Sequence, residues 1–199
     1  MKTNSIKNIL ELKYGFKDNY TQEELNKIEI INIDRFDIDG SILNIDFNEL
    51  LLLPNLKYLT INKCIIDYNI FIIINKLNLD TLVLSNCEIV DDVSDIVNDL
   101  KVKNLIIDNT NFNLVWFKDL YFNSIILNNI VINGDYIVNT KTLDIRKCEI
   151  SNYSFINMNI IPKLIISASQ YNNSFNGYKG NLIIMEENGE FILKEVNHG

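Results

Sequence analysis

A spaced apolar pattern recurs along this chain, and a recurring pattern constrains architecture more tightly than any single motif, because each copy must bury its apolar face against its neighbours. The stretch Leu56-Lys57-Tyr58-Leu59-Thr60-Ile61-Asn62-Lys63-Cys64-Ile65-Ile66 has apolar residues at places 1, 4, 6 and 11 and a small residue at place 9. Leu79, Leu82, Leu84, Cys87 and Ile89 repeat it 23 residues later, and Val102, Leu105, Ile107, Thr110 and Phe112 after another 23. Shorter-spaced copies begin at Phe122, Thr140 and Ile161, an earlier one reads Ile28, Ile31, Ile33, Phe36 and Ile38, and a degraded last one starts at Lys179. About eight units result. Around places 3 to 5 the alternation of inward and outward residues predicts one short strand per unit, and stacked units make a parallel sheet.

The order Leu-x-x-Leu-x-Leu-x-x-Asn/Cys-x-Leu resembles the leucine-rich-repeat family over residues 21–187. The resemblance implies an α/β solenoid with one curved parallel sheet and mixed short helices and turns on the convex side. It implies 1–27 as a helical N-terminal cap, 28–178 as repeats, and 179–199 as a degenerate repeat with a hairpin cap and tail. At place 9 the chain leaves the strand, so a small side chain there packs beneath the turn. Cys64, Cys87 and Cys148 all occupy that place, which favours a role as small buried hydrophobes over metal binding or catalysis. Phe36, Ile130 and Glu187 depart from the pattern and predict irregular turns.

Between strands, residues 91–100 place Val93, Ile96, Val97 and Leu100 on one helical stripe behind acidic residues, predicting a helix. Residues 45–53 predict another before Pro54, whereas the β-branched stretch 70–74 fits either a short helix or extended chain. Thr21-Gln22-Glu23-Glu24 is a capping box that opens a helix, and Ile6, Ile9 and Leu10 suggest a helix before it. Asn188-Gly189 is a hairpin signal, so a returning strand is expected to close the sheet.

Chemistry is scarce in the sequence. The single histidine, His198, is next to last, which disfavours histidine-based nucleophilic systems and the common zinc ligand sets. No Gly-x-Gly-x-x-Gly or Gly-Lys-Ser/Thr loop occurs among the seven glycines, so no phosphate cradle is expected. These features predict no enzyme activity, no cofactor and no metal. The net charge of −8 argues against nucleic-acid binding, which needs clustered Lys and Arg. No apolar run approaches the roughly 20 residues of a membrane span, and the N-terminus lacks the apolar core of a secretory signal. With sparse cysteines, this reads as a cytoplasmic protein.

In leucine-rich repeats the outward strand residues line the concave face, where binding usually occurs. Projected onto this chain, place 5 gives a mid-chain apolar stripe of Val83, Ile106 and Ile126, and Asp144 follows in the same row. Place 7 gives polar neighbours, among them Asp108, Asn128 and Arg146. These residues are the expected partner-binding set for a non-catalytic protein-interaction module. Against this stands the ordinary preference of strands for β-branched residues. Trp116, on a connection, is expected to pack against its own fold. Two other readings stay open: an acidic inhibitor or immunity-type protein that neutralises a basic toxin or enzyme, and a self-associating structural subunit. The partner is then a protein, basic if charge decides it, and the chain itself a monomer or weak homo-oligomer.

Overall fold

The computed structural model describes residues 10, 20–34, 45–117, 120–133, 138–153, 161–176, 178–186 and 191–192. It is an α/β fold built on parallel β-sheet with few helices. The chain divides into two compact units, Met1–Val102 and Lys103–Gly199.

In the first unit, strands β1 (Ile30–Asp34), β2 (Tyr58–Asn62) and β4 (Thr81–Ser85) run parallel in the order β1-β2-β4. The register aligns equivalent places of successive sequence units, Ile31 with Leu59 with Leu82 and Ile33 with Ile61 with Leu84. All six side chains are buried, because alternation along a strand sends places 4 and 6 to the same face. Two short strands, β3 (Ile65–Ile66) and β5 (Glu88–Ile89), form a separate parallel pair just beyond them.

The helices of this unit are short. In α1 (Gln22–Leu25) the expected capping box is present: the Glu24 amide donates to Thr21 Oγ1, and the Thr21 amide donates to Glu24 Oε2 at 3.0 Å. Residues 70–74, which sequence left between helix and extended chain, are helical within α2 (Tyr68–Lys76). Local β-branching is overridden there by the Asp67 cap, whose Oδ1 accepts from the Ile70 amide, and by burial of Phe71, Ile73 and Ile74. The segment before Pro54 is a 3-10 helix, Phe47–Leu52, begun by Asp46. The helix expected over 91–100 contracts to α3 (Ser94–Val97), with Val93, Val97 and Leu100 buried. Asp92 is occupied locally, accepting from the Ser94 amide, and Asp91 is drawn to the Tyr68 amide at the start of α2, which together keep the preceding backbone out of the helix.

In the second unit, β6 (Asn104–Asp108), β7 (Tyr121–Ile132), β8 (Asn139–Ile150), β9 (Lys163–Ser167) and β10 (Asn181–Met185) run parallel in that order. The register again joins equivalent places, Leu105, Ile125, Leu143, Leu164 and Leu182, all buried. β7 and β8 are long because the strand continues through the turn into a second extended stretch. β11 (Phe191–Ile192) pairs antiparallel with β10. The Asn188-Gly189 turn that would return it lies outside the described residues, as do Ile6, Ile9, Phe36, Glu187 and His198. Trp116 is half-buried, edge-on to Phe112 with ring centroids 5.0 Å apart.

A repeated backbone device follows β2, β4 and β6 and recurs within β7. Lys63, Asn86, Asn109 and Asn129, each at place 8, have φ of 54°, 51°, 43° and 53°. This left-handed residue turns the chain, and asparagine tolerates it better than most side chains. Ile130 follows such a turn like the others. Register shifts against β8 lie on either side of Asn128, between Ile126 and Asn128 and between Asn128 and Val131.

Candidate functional site

The turn at place 8 leaves carbonyls of the neighbouring strand in need of donors, and place 9 supplies them. Cys87 Sγ donates to the Ile61 carbonyl at 3.3 Å, and Cys148 Sγ to the Leu127 carbonyl at 3.2 Å, each acceptor being place 6 of the preceding strand. Cys64 and Thr110 bond back to their own strands, to the Asn62 and Asp108 carbonyls. All three cysteines are free and buried. Burial pushes the Cys87 thiol above its ordinary value and that of Cys148 up to about 12. A thiol so far from ionisation is a poor nucleophile and a poor ligand at neutral pH.

At the seventh sequence unit the sequence assigns place 9 to Ser169, but the structure gives its task to Gln170. Ser169 is exposed and shares a hydrogen bond with Ser167 Oγ. The buried Gln170 Nε2 donates to the Ile145 carbonyl at 2.8 Å and the Cys148 carbonyl at 2.7 Å, while Oε1 accepts from the Ser167 amide at 2.8 Å. A longer side chain one position on reaches the same place-6 carbonyl. The repeat pattern carried no signal for it, since place 10 is exposed in the other units, at Ile65, Glu88, Asn111, Val131 and Glu149.

The outward face of the second unit carries three parallel rows. Place 3 is polar, with Asn104, Ser124, Thr142, Lys163 and Asn181. Place 5 aligns Ile106, Ile126, Asp144, Ile165 and Ile183. The four isoleucines are half-buried, which neighbouring strands about 4.8 Å apart make unavoidable for large side chains. Place 7 brings Asp108 beside Asn128. Ile106 and Ile126 are thus direct cross-strand partners. Val83, the third residue of the expected stripe, belongs to the first unit, where it aligns with Thr60.

Asp144 differs from the expectation of an outward contact residue. Its side chain is only 7% exposed and is claimed by Arg146, whose Nε lies 2.9 and 3.1 Å from the two carboxylate oxygens and whose Nη2 lies 2.7 Å from Oδ2. The hydrogen bonds that Arg146 donates to Asp144, with the carboxylate's charge behind them, hold the guanidinium above its usual value against the opposing effect of burial. The guanidinium extends across the face until Nη1 meets Met185 Sδ at 2.8 Å. Asp108 Oδ1 accepts from Asn129 Nδ2 at 2.7 Å.

In the first unit the polar groups at places 7 and 8 are bonded to one another. Asn62 Nδ2 donates to Asp34 Oδ2 at 2.6 Å, Asn86 Nδ2 to Asn62 Oδ1 at 3.1 Å, and Lys63 Nζ stands 3.8 Å from Asp34. Among the described residues no group of three or more His, Cys, Asp or Glu side chains is placed to hold a metal ion, and no helix is long and apolar enough to cross a membrane.

No protein-family model matches the chain, and no curated protein matches it in sequence.

Proposed function

We propose that the chain is a leucine-rich-repeat-type solenoid that acts without catalysis, holding a protein partner on the outward face of its sheet. Support for the repeat reading comes from register: each sequence unit contributes one parallel strand, and within each unit of the fold equivalent places pair across neighbours. The observation that carries the binding reading is the row of half-buried isoleucines flanked by oriented polar groups in the second unit. Ile106 and Ile126 form the dry centre, and Asp108, Asn128 and the Asp144–Arg146 pair give direction at its margin. Val83 offers the equivalent position in the first unit. Three free, buried thiols suit a reducing, cytoplasmic setting.

A second reading has its own support. Residues 1–102 hold 17 acidic against 10 basic residues, whereas 103–199 hold 9 against 8. So lopsided a charge suits an inhibitor that steers onto a basic enzyme or toxin, and its association would slow steeply with added salt.

The test is affinity capture from the native organism with wild-type protein beside an Ile106→Asp, Ile126→Asp double variant, followed by titration of the purified partner. On this proposal the wild type binds and the folded double variant loses about a hundredfold in affinity or more. Equal affinity for both would move the site off this face, and loss of salt sensitivity in that binding would remove the inhibitor reading.

A further inference from the structure

A second surface lies on the first unit, on the β3–β5 pair rather than on the strands β1, β2 and β4. β3 and β5 pair through Ile65 and Glu88, and the ladder is extended by the Glu88 amide on the Cys64 carbonyl at 3.0 Å and the Val90 amide on the Ile66 carbonyl at 3.2 Å. Alternation buries Ile66 and Ile89 and turns Ile65, Glu88 and Val90 to solvent. Asp91 Oδ2 accepts from the Tyr68 amide at 3.1 Å, which draws the start of α2 up to the end of β5. Ile65, Tyr68 and Val90, exposed at 43%, 39% and 51%, therefore belong to one neighbourhood. Single exposed apolar residues are ordinary, but three on adjoining elements form a patch.

The charge along the stretch from 77 to 100, which carries β5 and Val90, has one sign. No Lys or Arg occurs between Lys76 and Lys101, while Glu88, Asp91, Asp92, Asp95 and Asp99 all fall there and are exposed. None of them forms an ion pair with another described residue. Glu88 stands directly across from Ile65 and two residues from Val90, so apolar and acidic groups alternate on the same face rather than lying on separate ones. We infer that this face docks a polypeptide segment that is itself cationic and apolar in alternation. Apolar contact on Ile65, Tyr68 and Val90 supplies affinity, and basic side chains between those contacts relieve the unpaired carboxylates and select the partner. The inference is independent of the isoleucine row on the second unit.

The probe is a fluorescein-labelled (Lys-Lys-Val-Val)2 peptide, which shows alternating Lys and Val on both faces when extended, with (Lys-Lys-Ser-Ser)2 as a control of equal charge. Binding to the full chain is read by fluorescence anisotropy. The Lys-Val peptide is expected to saturate, to bind about tenfold more tightly than the Lys-Ser control, and to lose about tenfold or more on a Glu88→Lys, Val90→Lys double variant. It is expected to bind the Ile106→Asp, Ile126→Asp variant as it binds wild type. Because Glu88 and Val90 are exposed, the double variant should keep its circular dichroism; if it does not, Glu88→Gln with Val90→Ser replaces it. Equal affinity for the two peptides reduces the effect to bulk charge and overturns the inference. So does equal affinity for wild type and a folded face variant, or no saturation up to about 1 mM peptide.

Discussion

Replacing Gln170 with alanine tests how these turns are held. The side chain satisfies three backbone groups, the Ile145 and Cys148 carbonyls and the Ser167 amide, in a buried place. A buried polar group stripped of its partner costs about 1–3 kcal/mol. Three such groups set an upper range of about 3–9 kcal/mol, and a water entering the vacated space would restore part of the bonding, leaving on the order of 3–6 kcal/mol. That is a large share of the roughly 5–15 kcal/mol by which a domain of this kind is stable. Urea unfolding followed by the fluorescence of Trp116, which lies in the same unit, reads the loss directly. A Gln170→Glu variant adds a sign. Its carboxylate keeps the acceptor for Ser167 but faces two carbonyls, so the neutral acid, which can donate to one of them, is favoured and the folded pKa is raised. Stability recovered by protonation is therefore fully present below the unfolded value of about 4.3 and lost as pH rises through the folded one. A Gln170→Ala variant within about 1 kcal/mol of wild type, or a Glu variant whose deficit is the same at pH 4 and pH 7, would refute the reasoning.

The other predictions concern a thiol and a glycine. With Cys148 pushed to about 12, only about one molecule in ten thousand carries its thiolate at pH 8, so native protein should react with a chromogenic disulfide reagent at this position more than about a hundredfold slower than urea-unfolded protein. Because the folded value is raised above 9.0, the stability this thiol contributes is intact below pH 9 and declines as pH climbs toward about 12. Rapid labelling of the native chain at Cys148, located by mass spectrometry, would contradict its burial. At Gly180 an added Cβ would collide with the Ile161 carbonyl oxygen and stand 2.7 Å from Tyr178 Oη, breaking the buried hydrogen bond between those two groups. Gly180→Ala should cost about 1–3 kcal/mol and lower Tm by several degrees, measured by differential scanning calorimetry; an unchanged Tm would mean that the close approach is absent.

Strand position and register were legible in the sequence because they depend on a local signal, the burial of places 4 and 6, which no tertiary context reverses. The connections were less legible, because their helices are set by caps and packing rather than by composition. Residues 70–74 are helical because Asp67 caps them and the core takes Phe71 and Ile74, while 91–100 yields only four helical residues because Asp92 turns to the nearby Ser94 amide and Asp91 to the distant Tyr68 amide. The left-handed turn was readable but unread: asparagine at 86, 109 and 129 falls at one repeat position, and that is a residue which accepts positive φ. Gln170 was harder to foresee, since its donors substitute for a place-9 group from one residue further along. On the outward face, the rows followed from alternation, whereas the capture of Arg146 by Asp144 required coordinates, because two residues on one strand face can equally pair with each other or look outward.

That capture bears on where a partner would sit. Half-burial of Ile106 and Ile126 needs no partner to explain it, since β-branched side chains on adjacent strands cover one another. Asp144 is different. A carboxylate 7% exposed between Ile126 and Ile165 carries a desolvation cost that Arg146 offsets only in part, and an apolar residue in its place would serve a sheet selected for stability alone as well or better. What the pair does achieve is to hold a guanidinium in one orientation over the sheet, two of its nitrogens fixed by the carboxylate and the third resting on the Met185 thioether. Sulfur of this kind is a weak acceptor, so a carbonyl or carboxylate brought by a bound chain would displace it with a stronger bond. A guanidinium fixed in advance loses little further freedom when it binds, and the flanking isoleucines keep water from competing. The arrangement is costly to the isolated chain and useful to a complex, and this imbalance, beside the isoleucine row that carries the reading, supports the proposed docking centre on the second unit.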